Sequence, residues 1–350
     1  MPRLRRVDPR SAGYTRRRAG KGFVYLDAAG ARVTDEAVLE RIARLVIPPA
    51  WVDVWVCPLA NGHIQATGLD ARGRRQYRYH DDWTARRAQA KFDHMVDFAR
   101  ALPTLRARVA GHLDGGGLGC ERVLACAVRL LDLGFFRIGS DSYAEENQTY
   151  GLATIERRHV RVEGDSVSFD FVAKGSKRRI QTVVDPEVAR IVAALKKRRG
   201  EPADLLVWRR PTGGGRVEWV DVRSDDINAY VKAEAGIDCS AKDFRTWNAT
   251  VLAAVALAVS QPATSDATRK RRVARAMAEV AHYLGNTPAV VRSSYVDPRV
   301  VDRYLHGQTV AAALDRLAAG VEFGHPGTQG ALEQAVLELL DPAASADLAA

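Results

Sequence analysis

The sequence predicts an α+β fold: a small β-rich N-terminal domain over residues 1–84, then a larger, mainly α-helical domain over residues 85–350 that carries one short antiparallel β-sheet. Three observations carry this reading. Before residue 84, short β-prone runs alternate with turn signals. From Thr84 onward apolar residues recur at helical spacing, and between His159 and Val184 the spacing changes to a period of two. At 350 residues there is enough chain for two domains whose cores need no metal or disulfide. Apolar content of 47% with 27% charged residues excludes a disordered or fibrous chain.

In the first domain the β-prone runs are Gly22–Leu26, Val52–Cys57, Gly62–Thr67 and Gln76–Tyr79, with Asn61-Gly62 among the turns. One helix interrupts them. Thr34 is its expected cap, Val38, Ile42 and Leu45 form its apolar stripe, and Pro48-Pro49 ends it. In the second domain Gly111–Gly119 holds five glycines and reads as a loop or hinge. Val167, Phe169 and Phe171 then alternate with Ser166, Ser168 and Asp170. Turns at Glu163-Gly164-Asp165 and Gly175-Ser176 divide this stretch into three antiparallel strands, with Lys174 at the mouth of the second turn.

Asp243–Ser260 predicts a core helix, apolar on nearly all sides, with Arg245 in its first turn. An arginine there faces a ready phosphate position, because helix N-termini favour anions; the plainer reading is a salt-bridged core arginine. The next helix ends at Leu284-Gly285, and Thr287-Pro288 opens another. Tyr295 falls near the end of that helix, before Asp297-Pro298. A tail helix inside the acidic stretch 325–350 places Leu332, Val336 and Leu340 on one face.

Lys and Arg number 52 against 42 Asp and Glu, a net charge of +10 that suggests a polyanionic partner. Seven arginines precede Gly20, and further clusters fall at Arg72–Arg78, Lys196–Arg199 and Arg269–Arg272. A single cluster reads as a solvated face or tail. Several along one chain fit a nucleic-acid groove better. The Arg72–Arg78 run also interleaves Tyr77 and Tyr79, which suits phosphates and sugars or bases together but equally an ordinary half-buried strand.

Cys57, Cys120, Cys126 and Cys239 show no paired or metal-ligand spacing, so buried thiols in a reducing compartment are expected. The longest apolar run, Val251–Val259, is too short to span a membrane, and no apolar segment follows the Arg-rich start to make a signal peptide. A soluble intracellular protein is expected.

The most specific signal is a set of words in order. Leu133-Gly134-Phe135-Phe136-Arg137-Ile138-Gly139-Ser140 precedes Glu146-Asn147-Gln148-Thr149-Tyr150-Gly151-Leu152. Phe171-Val172-Ala173-Lys174, Lys242-Asp243-Phe244-Arg245-Thr246-Trp247-Asn248-Ala249 and Gly285-Asn286-Thr287-Pro288 follow, the last running on to Ser294-Tyr295. Upstream stand Ile47-Pro48-Pro49-Ala50-Trp51 and Arg75-Gln76-Tyr77-Arg78-Tyr79-His80. Together they resemble the type IB DNA topoisomerases, in their compact bacterial and poxvirus-like branch, over roughly residues 20–305.

The resemblance implies a catalytic pentad of Arg137, Lys174, Arg245, Asn286 and Tyr295. One position departs from the family, which usually has histidine where Asn286 stands. His282 lies one helical turn away, but the Gly-Asn-Thr-Pro context and the nine-residue step to Tyr295 favour Asn286. The resemblance further implies a C-shaped clamp on double-stranded DNA, with Gln76, Tyr77, Tyr79 and Tyr143 meeting the duplex. It implies cleavage of one strand through a 3′-phosphotyrosine, swivelling, religation and relaxation of supercoils of either sign. No cofactor, metal or membrane is expected, and a monomer in the cytoplasm at the nucleoid suffices because the clamp needs one chain.

The chemistry of these side chains fits independently. Two guanidiniums can hold non-bridging phosphate oxygens in fixed geometry. An amide adds a neutral donor but cannot carry a proton away. A phenol can act as nucleophile if nearby cations help it lose its proton, and a lysine can protonate the departing 5′ oxygen. The chain has neither a phosphate-binding Gly-Lys-Ser/Thr loop nor the clustered carboxylates that hold magnesium. A tyrosine recombinase or integrase would use related chemistry, but it typically has a His-x-x-Arg element where Lys242-Asp243-Phe244-Arg245 stands, and its N-terminal domain is usually helical. A non-catalytic DNA clamp would need all five residues to be structural.

Overall fold

Strand β1, Tyr14–Ala19, runs through the Arg-rich N-terminal segment, which sequence periodicity had left without an element. The computed structural model describes residues 3–140, 144, 148–198, 200, 202–213, 216–260, 265–318 and 330–341. Tyr143 therefore lies outside the described residues, as does most of the acidic stretch 325–350 beyond its helix. The chain divides into two compact units, Met1–Asp93 and His94–Ala350. The fold is α+β.

In the first unit, β1 joins β2 (Gly22–Leu26), β3 (Val52–Val56), β4 (Ile64–Leu69) and β5 (Arg75–Tyr79) in an antiparallel sheet of order β2-β1-β3-β4-β5. Three arginines hid β1 from a hydrophobicity reading, although only alternate side chains of a strand must face a core. Helix α1, Glu36–Arg44, is capped by Asp35 rather than Thr34, the Asp35 carboxylate accepting from the main-chain N–H of Ala37 and Val38. The α1 residue Ile42 packs with Val54, Val56 and Ala66, and Val38, Leu45, Ile47 and Trp51 close over them. The Pro48–Trp51 loop is held by Arg16, whose guanidinium donates to the Pro48 and Trp51 carbonyls at 3.1 and 2.5 Å. A bulge in β3, with Asp53 at φ 49°, shifts the register between Val52 and Trp55.

Helix α2, Asp81–Leu113, begins in the first unit and ends in the second, three residues ahead of the expected helical start at Thr84. It absorbs the first residues of the glycine-rich stretch, so the loop proper follows Leu113. In the second unit Phe98, Leu102, Leu105 and Val109 bury one face of α2 at helical spacing. Phe98 meets Phe244 of α6 (Ala241–Ala258) edge-on at 5.1 Å, and Arg106 bonds Asp132 of α3 (Cys120–Gly134); both helices are largely buried. The three expected strands form β6 (Val160–Glu163), β7 (Ser166–Ala173) and β8 (Lys177–Val184), followed by α4 (Pro186–Lys196).

A second hairpin, β9 (Val207–Pro211) and β10 (Val217–Asp221), went unread because its arginines and Glu218 blur the alternation. Helix α5 (Ser224–Ala235) precedes α6, and α7 (Asp266–Leu284), α8 (Pro288–Ser294), α9 (Pro298–Leu305), α10 (Ala311–Ala318) and α11 (Ala331–Leu340) follow it. No helix among the described residues is long and apolar enough to cross a membrane. Cys57, Cys126 and Cys239 are buried and Cys120 is partly so. Burial pushes the Cys126 thiol up to about 12, so it is an inert core side chain.

The tail helix α11 docks by more than its apolar face. Leu332, Val336 and Leu340 are buried, and Glu333 among them accepts from Arg106 at 2.5 and 2.9 Å and from the Trp247 indole at 3.0 Å. Arg106 also grips Asp132 of α3 at 2.8 and 2.9 Å. Burial opposes the Arg106 charge, but the two carboxylates outweigh it and hold the guanidinium above its ordinary pKa. Glu333→Ala strands a half-satisfied arginine and is expected to lower the unfolding free energy by about 2–3 kcal/mol. Denaturant titration checks this: a loss below about 0.5 kcal/mol would mean that α11 docks through its apolar residues alone.

Candidate active site

Four of the five expected residues converge where α3 ends, α6 begins and α7 turns into α8. Phe135 ends α3 in the left-handed conformation, φ 54°, which reverses the chain. Phe136 then enters the core edge-on to Phe169, centroids 4.8 Å apart, and Arg137 emerges toward the site. The main chain here is pinned by hydrogen bonds from Leu152 N to the Arg137 carbonyl at 2.8 Å and from Ala153 N to the Ile138 carbonyl at 2.7 Å. Two glycines make that approach possible: a Cβ on Gly151 would lie 2.5 Å from Gly139 Cα.

Arg245 is 4% exposed. Helix α6 starts at Ala241, two residues ahead of the expected start, with Ser240 and Asp243 as its capping box. Arg245 therefore sits in the second turn, away from the N-terminal N–H groups that its expected first-turn place would have offered a phosphate. Its guanidinium donates to the Phe135 carbonyl and, at 2.9 Å, to that of Leu284. No carboxylate among the described residues pairs with it, and its Nε is buried without a hydrogen-bond partner. The salt-bridged reading is thereby corrected. Burial and the charges of Arg137 and Arg179 pull it below the ordinary guanidinium range, although it stays cationic near neutral pH. A buried cation held by neutral carbonyls and the Tyr295 phenol, with no carboxylate among the described residues, is electrostatically incomplete, and an anion would complete it.

Helix α7 ends at Gly285 in the left-handed region, φ 63°, with Asn286 N donating to the Ala281 carbonyl at 3.1 Å. That turn brings Asn286 Oδ1 onto the Arg137 guanidinium. The other end of the amide, Nδ2, is buried with no hydrogen-bond partner among the described residues. The His282 side chain is exposed and meets Tyr283 edge-on at 6.0 Å.

Thr287 caps α8 and Tyr295 ends it. Buried Thr250 of α6 holds the main chain just after it, on both sides of Val296, donating to the Tyr295 carbonyl at 3.3 Å and accepting from Asp297 N at 3.1 Å. The Arg245 Cζ lies 5.5 Å from the centroid of the Tyr295 ring. Burial alone would raise the phenol pKa, but Arg245, Arg137 and the Asn286 amide together outweigh it and lower the phenol below its ordinary value.

Lys174 is exposed at the β7–β8 turn, where it lines a cavity of about 280 Å³ with Arg137, Ser140, Thr149 and Tyr150. In the other unit, Gln76 donates to Asp70 at 2.9 Å. Tyr77 and Tyr79 stand on edge strand β5, 43% and 44% exposed, with rings stacked at 5.8 Å. Sequence reasoning missed Thr250, the Gly139–Gly151 contact and Arg179. A glycine in each of two separate words was the only signal for the contact. Among the described residues no three His, Cys, Asp or Glu side chains gather as a metal site.

A site of this kind can bind a tetrahedral anion between guanidiniums and present a partly activated phenol to it. Residues 80–311 match the family described as eukaryotic DNA topoisomerase I, catalytic core, and residues 22–70 match bacterial DNA topoisomerase IB, N-terminal domain. The chain is 28% identical over 295 residues to DNA topoisomerase 1B of Acanthamoeba polyphaga mimivirus, covering 83% of this chain and 87% of that one. To DNA topoisomerase 1B of vaccinia virus (strain Copenhagen) it is 26% identical over 108 residues, 31% of this chain and 34% of the relative. To DNA topoisomerase 1 of Mycosarcoma maydis it is 26% identical over 146 residues, 37% of this chain and 14% of the relative.

Proposed function

The chain belongs to the type IB DNA topoisomerase family, and on that premise we propose that it relaxes positive and negative supercoils in double-stranded DNA by cutting and resealing one strand through Tyr295. The phenolate oxygen attacks a backbone phosphorus, the bond to the 5′ oxygen breaks, and a 3′-phosphotyrosine forms. Arg137 and Arg245 hold the non-bridging oxygens as charge builds on them, and the open Nδ2 of Asn286 donates to one of them. Lys174, on the mouth of its turn, gives the departing 5′ oxygen a proton. Rotation of the free end releases torsion, and the reverse attack reseals the strand. One phosphoester replaces another at every step, so no ATP is required, and Arg137, Arg245 and Lys174 take the charge-stabilising and proton-donating work that a metal would otherwise do.

The observation that carries this reading is Arg245: an almost fully buried cation whose partners among the described residues are main-chain carbonyls and the half-buried Tyr295, with no carboxylate beside it. Asn286 offers a hydrogen bond rather than a proton, which leaves general acid work to Lys174. The exposed aromatic pair Tyr77 and Tyr79, with Gln76, gives the N-terminal unit a surface suited to a duplex backbone, and one chain suffices. The protein then acts as a monomer in the cytoplasm, on nucleoid DNA.

Supercoiled plasmid incubated with the enzyme in EDTA without ATP tests this. Relaxation is expected at both signs of supercoiling. A protein that binds the plasmid but leaves it supercoiled would move a recombinase or a passive clamp to the front.

A further inference from the structure

Arg179 belongs to β8, on the same hairpin as Lys174, and its guanidinium leaves that sheet to meet the end of α7. It donates to the Tyr283 carbonyl at 2.7 Å and to the His282 carbonyl at 3.3 Å. These are among the last carbonyls of α7, where a cation is favoured; the His282 carbonyl also accepts from the Gly285 main-chain N–H at 3.2 Å. Its cross-strand partner is Phe171, a buried residue, so both side chains share the sheet face that turns inward. The guanidinium also packs on Gly285: a Cβ there would lie 2.8 Å from Arg179 Nη1. Arg137 is close enough that its charge, together with burial, lowers the Arg179 pKa.

We infer that Arg179 is a positioning residue for strand cleavage: by tying the Lys174 hairpin to the last turn of α7, it fixes the Gly285–Asn286 turn that presents Asn286 to Arg137 and to the scissile phosphate. This rests on the topoisomerase reading above. Arg179 reaches no reacting atom itself, and it acts through the main chain on either side of Gly285. A filler role is disfavoured by its surroundings. A cavity of about 460 Å³, lined by Phe135, Gln181, His282 and Tyr283 among others, already runs beside it, so truncation extends an existing space instead of opening a sealed one.

Arg179→Met keeps the bulk and removes both hydrogen bonds, and Arg179→Lys keeps the charge and can restore one. With enzyme in excess over supercoiled plasmid, below the unfolding midpoint of every variant, Arg179→Met is expected to relax DNA on the order of 10- to 100-fold more slowly. Binding to a duplex fragment should be unchanged, and Arg179→Lys should recover part of the rate. In an Asn286→Ala background the same Met substitution should cost little, because the group it positions is gone. An equal slowing in both backgrounds, or a wild-type rate for Arg179→Met, overturns the inference. An inactive wild-type protein would instead sink the topoisomerase reading beneath it.

Discussion

Tyr295→Phe is expected to abolish relaxation and the covalent protein–DNA adduct while leaving duplex binding intact. The substitution removes one oxygen. The ring still packs under Arg245, whose Cζ lies 5.5 Å from its centroid, and Thr250 still holds the main chain at the Tyr295 carbonyl. Stability should therefore change little, and the loss is chemical, because the oxygen that would bond to phosphorus is gone. Denaturing gels after detergent quenching measure the adduct. An adduct that persists in Tyr295→Phe would assign the nucleophile elsewhere, and Tyr283, exposed at the end of α7, would be tested next.

Arg245→Ala carries the second largest effect, a slowing of cleavage by about 10³-fold or more. On the proposed reading Arg245 supplies two separate things: a forked donor for phosphate oxygens and the largest favourable influence on the Tyr295 phenolate. A pH–rate profile separates them. In the wild type the phenol pKa is lowered, so cleavage should rise with pH and level off below the ordinary tyrosine value of about 10. Without Arg245, burial of the phenol is opposed only by the weaker Arg137 and Asn286 contributions, so the rising limb should move to higher pH. Arg245→Lys keeps a charge but loses the fork, and should hold the profile near its wild-type position at a much reduced rate. A profile for Arg245→Ala that keeps the wild-type shape would mean that the arginine acts on phosphate alone.

Different parts of this molecule were legible to different degrees. The hairpin with Lys174 was readable from alternation alone, since Val167, Phe169 and Phe171 face one side of β7 and are buried there. The end of α7 and the start of α8 were readable from Gly285 and Thr287-Pro288, which act through purely local backbone chemistry. Strand β1 and the β9–β10 hairpin were not. Arg16 of β1 is held by a contact distant in sequence, on the Trp51 carbonyl, and Arg210 of β9 pairs across its own hairpin with Glu218, so charged side chains occupy strands that a hydrophobic alternation would not mark.

The cap of α1 moved from Thr34 to its neighbour Asp35, a choice between adjacent capping residues that only the chain path decides. The place of Arg245 moved similarly. Starting α6 at Ala241 put it in the second turn, where it serves carbonyls from α3 and α7 and not the helix N-terminus.

By itself the sequence determined the class of fold and those elements whose periodicity or caps are unbroken, because these are properties of short segments, and its ordered words carried the resemblance that named the candidate site residues. Tertiary structure alone decided how those residues act on one another. That among the described residues Arg245 pairs with no carboxylate and Asn286 Nδ2 has no partner, and that Arg179 ties one hairpin to the helix behind it, follow from how segments distant in the chain meet. The physical reason is that desolvation and charge–charge interaction depend on what surrounds a group in space, and no local pattern encodes that surrounding.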